Sequence, residues 1–140
     1  RLRALASRSS GIQVHMHLDQ RTPKVRGDEQ KLQQVLLNLL VNAEAALQQS
    51  QLRHLTVTTQ RKGEIVLIIV ADTGHGMSPA IRQRVFEPFF TTKPPGEGTG
   101  LGLSVSYGII QAHKGTISVE STPDVGTTFT ISLPLVEEPK

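Results

Sequence analysis

Ile65-Val66-Leu67-Ile68-Ile69-Val70-Ala71 runs without a break into Asp72-Thr73-Gly74-His75-Gly76. The first seven residues are apolar and rich in β-branched side chains. Such a run reads as a strand buried on both faces at the centre of a sheet. The Asp and two Gly that follow close it, as Asp-Gly turns commonly do. Both flanks support the strand. Upstream, Leu55 to Thr59 alternates, and Lys62-Gly63 makes a turn, so the two runs form a hairpin. Downstream, Thr116 to Glu120 and Thr127 to Leu133 alternate about Pro123 to Gly126, a second hairpin. Near the start, Ile12, Val14, Met16 and Leu18 alternate as a half-buried strand. A turn at Gln20 to Pro23 then leads to a short extended piece, Lys24 to Arg26.

Helical periods fall between these strands. Asp28 suits an N-cap and Glu29 the first turn. The helix they open runs to about Gln49, with Leu32, Val35, Leu36, Leu39, Ala43, Ala46 and Leu47 in one apolar stripe. Ser78-Pro79 starts a short helix through Val85, with Ser at the N-cap and Pro at N1. Leu101 to His113 is helical, and Gly115 is its stop. Phe86 to Gly100 holds three Pro and three Gly. It is a loop, long enough to suggest a functional part. The order β-β-α-β-β-α-loop-α-β-β predicts an α+β fold. Its two layers are a mixed, largely antiparallel sheet of about five strands and three helices on one face.

The 140 residues suit one domain. Residues 11–136 are its expected extent, with 1–10 a linker or the end of a preceding helical domain and 137–140 a tail. No stretch of 18 apolar residues occurs, so no membrane span or direct membrane contact is expected, and a cytoplasmic location fits even if a parent protein is membrane-anchored. With no cysteine, disulfides and zinc-thiolate sites are excluded. A net charge of +3 and a pI near 9.6 read as a mildly basic surface. Basic residues form no long run, and one Tyr with no Trp leaves little for base stacking, so nucleic acid is not an expected partner.

Four constellations could carry chemistry. Asp72 is an acceptor at the mouth of an apolar region, and purine exocyclic amines are donors. Gly74 and Gly76 let a flat ligand approach the backbone; the simpler reading is a turn. Asn38 and Asn42, four apart, share a helix face beside the apolar stripe. Amide oxygens can hold Mg²⁺ together with nucleotide phosphates, although two solvated polar residues would look the same. Gly96, Gly98, Gly100 and Gly102 alternate into a helix start, where free N–H groups suit a phosphate. Their spacing is neither a dinucleotide fingerprint nor a Walker loop. Finally, Phe86-Glu87-Pro88-Phe89-Phe90-Thr91-Thr92-Lys93 holds three of the four Phe, suited to anchoring a lid, with Lys93 able to reach a phosphate.

In this order, the patterns closely resemble the nucleotide-binding domain of sensor histidine kinases. That domain belongs to the ATPase superfamily shared with DNA gyrase, mismatch-repair ATPases and a heat-shock chaperone, built on the Bergerat fold. Gln33 to Ala46 resembles the N box, Asp72 to Met77 the G1 box, Phe86 to Lys93 the F box and Gly98 to Leu103 the G2 box. Gly126-Thr127-Thr128-Phe129 resembles the closing glycine-threonine segment. The Pro-Phe-Phe-Thr-Thr-Lys form is similar to a subgroup that includes nitrogen-regulatory kinases.

The resemblance implies ATP and Mg²⁺ as ligands. Asp72 would accept from the adenine amine, with Gly74, Gly76 and Met77 lining the base pocket and Thr127 assisting. Asn42 would coordinate Mg²⁺, with Asn38 close to the γ-phosphate. Gly98, Thr99, Gly100, Leu101, Gly102 and Leu103 would hold the phosphates. Phe86 to Thr99 would be the lid, with Phe90, Thr92 and Lys93 contributing to the nucleotide site. Hydrolytic members place a Glu four residues before the metal-binding Asn; here that position is Asn38, which cannot take a proton. Histidine transfer needs positioning and charge neutralisation more than a base, so a kinase is favoured over a hydrolase. Ala45 and Thr91 stand where many members carry basic residues, which leaves phosphate charge to Mg²⁺, the helix end and Lys93. The expected partners are a phosphoacceptor helical domain, absent from this chain, and a response regulator downstream; the isolated domain is expected to be a monomer. The alternatives are a related protein-serine kinase or an ATP-gated interaction module without catalysis. Among the histidines, His15 and His17 read as a solvated strand face, with a metal pair the sharper alternative. His54 reads as part of a connection, His75 as the variable position of its motif and His113 as a helix end. None is assigned catalysis.

Overall fold

The computed structural model describes residues 11–18, 29–48, 50–88, 90 and 102–134. Its strands are β1 (Gln13–His17), β2 (His54–Lys62), β3 (Ile65–Asp72), β4 (Thr116–Thr122) and β5 (Gly126–Pro134). Its helices are α1 (Glu29–Leu47), α2 (Pro79–Arg82) and α3 (Gly102–Ala112). The strands form one sheet in the order β1-β2-β3-β5-β4. Only the β1–β2 pairing is parallel, with α1 as the crossover between them; the others are antiparallel. The expected piece at Lys24 to Arg26, the Asp28 cap and the terminal segments 1–10 and 137–140 lie outside the described residues.

The register stacks side chains into rungs that cross the sheet. One rung is Met16, Val57, Val70, Phe129 and Val119. Another holds Ile68, Ile131 and Ile117. Directly opposed residues point to the same face, so these rungs make one apolar wall. Val35, Leu39, Leu40, Ala43 and Leu47 of α1 and Ile110 of α3 close over it, all nearly inaccessible. Burying each of the Val, Leu and Ile side chains among them contributes about 1.5–3 kcal/mol. None of the helices among the described residues is long and apolar enough to cross a membrane.

Three expectations change. β3 is central, but only its helix-side face is sealed. Ile65 is exposed, and Leu67 and Ile69 on the other face are half-buried. Among the described residues helices cover one face alone, so the shelter on the other comes from polar strand neighbours, Thr56, Thr58 and Gln60 of β2 and Thr128, Thr130 and Ser132 of β5. Second, α2 stops at Arg82 rather than Val85. Ser78 Oγ caps it by accepting from Ile81 N–H, and turns follow as Val85 and Phe86 swing into the core. Third, His54 is the first residue of β2, not part of a connection. Its Nδ1 lies 2.9 Å from His15 Nε2 with the rings stacked, so the histidine contact is made across β1 and β2 rather than between His15 and His17.

Two local devices finish the frame. Arg53 donates to Gln48 O at 2.6 Å and Ser50 O at 2.9 Å, placing a cation on the carbonyl end of α1. Beyond α3, Lys114 takes the left-handed turn at φ 62°, and Gly115 N–H returns to Ile110 O at 2.9 Å.

Candidate nucleotide-binding site

The end rung of the wall is polar. Across the sheet it reads Leu55, Asp72, Thr127, Ser121. Asp72 and Thr127 are only 7% and 5% exposed, the two buried polar strand residues of the core face. Asp72 Oδ1 accepts from Gly74 N–H at 2.8 Å, and the Thr127 backbone also hydrogen-bonds to this carboxylate. Burial still pushes the Asp72 carboxyl above its usual range, against those two hydrogen bonds and the nearby His75. A carboxylate held this way is poised to accept from a ligand that brings its own hydrogens.

The turn beyond Asp72 is clamped from both sides. A Cβ on Gly74 would lie 2.7 Å from the Ala46 carbonyl oxygen of α1. Gly76 has φ 71°, and a Cβ there would strike the Thr122 carbonyl at the end of β4. His75 N–H reaches Ala46 O at 3.4 Å, and Asp124 N–H reaches His75 O at 2.7 Å. These glycines were expected to make room for a ligand. In the structure their bare Cα atoms let α1 and the β4–β5 hairpin close on the turn.

Helix α1 links this end to a second cluster. Two turns before Ala46, the Asn38 amide donates to Gly102 O at 3.2 Å and to Ser106 Oγ at 3.1 Å. Its oxygen accepts from Gln34 Nε2 at 2.8 Å. Ser106, fully buried, also donates to Gly102 O at 2.9 Å. Asn38 is thus bolted to the first turn of α3. Asn42 lies between the two ends, half-buried, and its side chain makes no hydrogen bond to any described residue. Ala46 and Asn38 are eight residues apart, about 12 Å along the helix at about 1.5 Å per residue.

The remaining predicted residues divide. Met77 packs against the core, and its N–H donates to Ser121 Oγ at 2.7 Å. Leu103 also packs on the core. Phe86 sits edge-on to Phe129 and tilted against Tyr107, anchoring the start of the loop. Phe90 lies under the Arg84 guanidinium, 4.6 Å from its ring centre, and Arg84 in turn pairs with Glu87 at 3.2 Å. Thr92, Lys93, Gly98, Thr99, Gly100 and Leu101 lie outside the described residues. Ser121 was missed. A Ser at the end of an alternating strand is ordinary, and only the register puts it beside Thr127.

A buried acceptor, Asp72, thus stands near one end of α1, and the glycine-led start of α3 is held two turns away by Asn38. Residues 27–137 match the family described as histidine kinase-, DNA gyrase B-, and HSP90-like ATPase, and the chain belongs to that family. Within it, the relatives are sensor kinases. The chain is 40% identical over 133 residues to the sensor protein FixL of Bradyrhizobium diazoefficiens, covering 94% of this chain and 26% of that one. It is 41% identical over 127 residues to the sensor histidine kinase ZraS of Escherichia coli K12, covering 91% and 26%. The chain therefore spans about a quarter of the length of these relatives. Among solved structures, it superposes on a mycobacterial sensor histidine kinase, MprB, with a TM-score of 0.81 at 27% identity, covering 95% of this chain and 90% of that one. Full-length ShkA in complex with AMPPNP gives 0.83 at 27% identity, covering 99% and 29%.

Proposed function

We propose that this chain binds Mg-ATP and serves as the catalytic domain of a sensor histidine kinase, delivering the γ-phosphoryl group to a histidine on a separate helical domain. A response regulator would then receive it. The observation that carries this is the two-ended helix: Ala46 abuts the turn after Asp72, and Asn38 holds the start of α3. About 12 Å between them lets a nucleoside triphosphate lie along α1 with its base at Asp72 and its phosphates at Gly102. Gly98, Thr99, Gly100, Leu101 and Lys93 would complete the phosphate side, and Phe90 and Thr92 the lid. The Pro88-to-Lys93 sequence supports a parent similar to the nitrogen-regulatory kinases.

Asn42 fits a metal ligand. Its amide is half-buried, without a described partner, and sits between the two ends. Its oxygen would join phosphate oxygens around Mg²⁺, which keeps few protein ligands. Bound there, Mg²⁺ would neutralise phosphate charge. Asn38 takes no proton, and both ends of its amide are engaged. That favours transfer to an imidazole, already nucleophilic, over activation of water.

The test is direct. The chain is incubated with γ-labelled ATP, Mg²⁺ and a histidine-bearing dimerisation domain from a related kinase. Acid-labile label on that domain is the expected result. Acid-stable label would indicate a serine kinase, and nucleotide binding without transfer an ATP-gated interaction module; either result would sink the histidine-kinase reading.

A further inference from the structure

Ser121 belongs to none of the matched motifs, yet its hydroxyl is the hub of the polar rung. It accepts from Met77 N–H at 2.7 Å and donates to Gly126 O at 3.0 Å. A serine hydroxyl has one hydrogen. With that hydrogen on Gly126 O, Ser121 Oγ can meet Thr127 Oγ1, 2.8 Å away, only as an acceptor. The arrangement that satisfies all three contacts of Ser121 Oγ together makes the Thr127 hydroxyl the donor in this one. Its hydrogen is turned toward Ser121, and lone pairs alone remain for a ligand. Beside it on the rung stands Asp72, a carboxylate that also only accepts.

We propose that Ser121 is a specificity-determining positioning residue that sets the base preference of the site through Thr127. Fixed as an acceptor next to Asp72, Thr127 matches the two hydrogens of a purine 6-amino group and opposes the lone pairs of a 6-oxo group. A threonine hydroxyl left free to rotate would serve either base, so the discrimination depends on Ser121 holding it. This rests on the nucleotide-binding reading above, but it concerns the choice of base, not the binding of phosphate.

The experiment measures dissociation constants for ATP and ITP, with Mg²⁺, on the wild-type chain, Ser121→Ala, Ser121→Thr and Asp72→Asn. ITP carries a 6-oxo group on the same triphosphate. The wild type is expected to prefer ATP. Ser121→Ala should lower the ATP-to-ITP preference about tenfold, the scale of one hydrogen bond reversed in a buried site. Ser121→Thr keeps the hydroxyl and should restore the wild-type ratio. A purely structural role would weaken ATP and ITP alike; an unchanged ratio in Ser121→Ala overturns the proposal. If Ser121→Ala does not fold, Ser121→Cys supplies the reading, because a thiol is a weak partner for Thr127. A wild-type ratio in Ser121→Cys would likewise overturn it. Failure of the underlying reading looks different: the wild type would bind neither nucleotide, or Asp72→Asn would bind ATP as tightly as the wild type.

Discussion

The two ends of α1 are built differently. At the base end, the turn from Thr73 to Met77 is gripped by two elements, α1 and β4, at three points. Ala46 touches Gly74, Thr122 crowds Gly76, and Ser121 receives Met77 N–H. Thr73 adds a further tie, its hydroxyl donating to Leu52 O at 2.7 Å and accepting from His54 N–H at 2.9 Å. At the other end, Asn38 of α1, backed by Ser106, hydrogen-bonds the first turn of α3, beside the apolar packing of Leu103 on the core. The base end is therefore preformed by backbone packing. The polar tie at the phosphate end is the Asn38 amide, which one substitution removes. On the proposed reading, a site divided this way would hold its base pocket constant while the phosphate side adapts to its ligand.

The sharpest way to break this contrast is at Gly76. Alanine there combines a left-handed φ with a collision against the Thr122 carbonyl. Backbone strain and displacement of the β4–β5 hairpin should together cost about 2–4 kcal/mol of folding stability. Denaturant unfolding measures it. A loss under about 0.5 kcal/mol would mean that the turn yields easily and that the base end is not preformed.

Asp72→Asn should leave the fold standing and remove function. Losing a hydrogen bond to a charged acceptor should weaken ATP by about 1.5–3 kcal/mol, roughly ten- to a hundredfold. The stability sign follows from burial. Because the folded pKa is raised, the protonated form is favoured by folding. That contribution is present at low pH and is lost as pH rises through the raised pKa, so the charged carboxylate is a liability at neutral pH. The variant should therefore gain on the wild type as pH rises from acid to neutral. ATP affinity of the wild type runs the other way. It should be full above the raised pKa and fall on acidification, because protonation turns one acceptor oxygen into a donor. Thermal unfolding and nucleotide titration across pH 4 to 8, with the variant as reference, measure both (about the range over which carboxylates titrate). Parallel stability curves for the two proteins would remove Asp72 as a buried charge.

What was legible in the sequence tracks this division. Asp72 stood out because an acidic residue ends an apolar run, a local signal. Its glycine neighbours stood out too, and Gly76 has the left-handed φ expected of it, but the backbone that approaches them in the fold could not be named. Whether a missing Cβ admits a ligand or a helix depends on Ala46 and Thr122, residues distant in the chain. Ser121 was invisible for the same reason: its meaning lies in the register Ser121–Thr127–Asp72, which joins three strands. The His15–His54 contact needed the parallel β1–β2 pairing across α1. The apolar run of β3 was read correctly as a central strand. The single helical layer was legible as well, and it is what leaves Leu67 and Ile69 on the second face of β3 only half-buried, where the apolar run had implied burial on both faces.

The smallest effects separate the two asparagines, and they decide whether the phosphate end hangs on one amide. Asn38→Ala removes two donated bonds and one accepted bond, yet Ser106 Oγ still serves Gly102 O. The loss should therefore be about 1 kcal/mol, and it should be local. Amide exchange ought to quicken in the second turn of α3, whose N–H groups bond to first-turn carbonyls, while β3 and β5 stay protected. Asn42→Ala breaks no described hydrogen bond, so its stability should match the wild type within about 0.5 kcal/mol. Its defect should show only with Mg²⁺ present, as a smaller gain in ATP affinity on adding the metal. If both variants lose stability equally, Asn42 is a structural residue and the metal assignment falls. Should Asn38→Ala loosen the β-strands as well, the two ends are one cooperative unit, and the difference in their construction has no consequence for how the site moves.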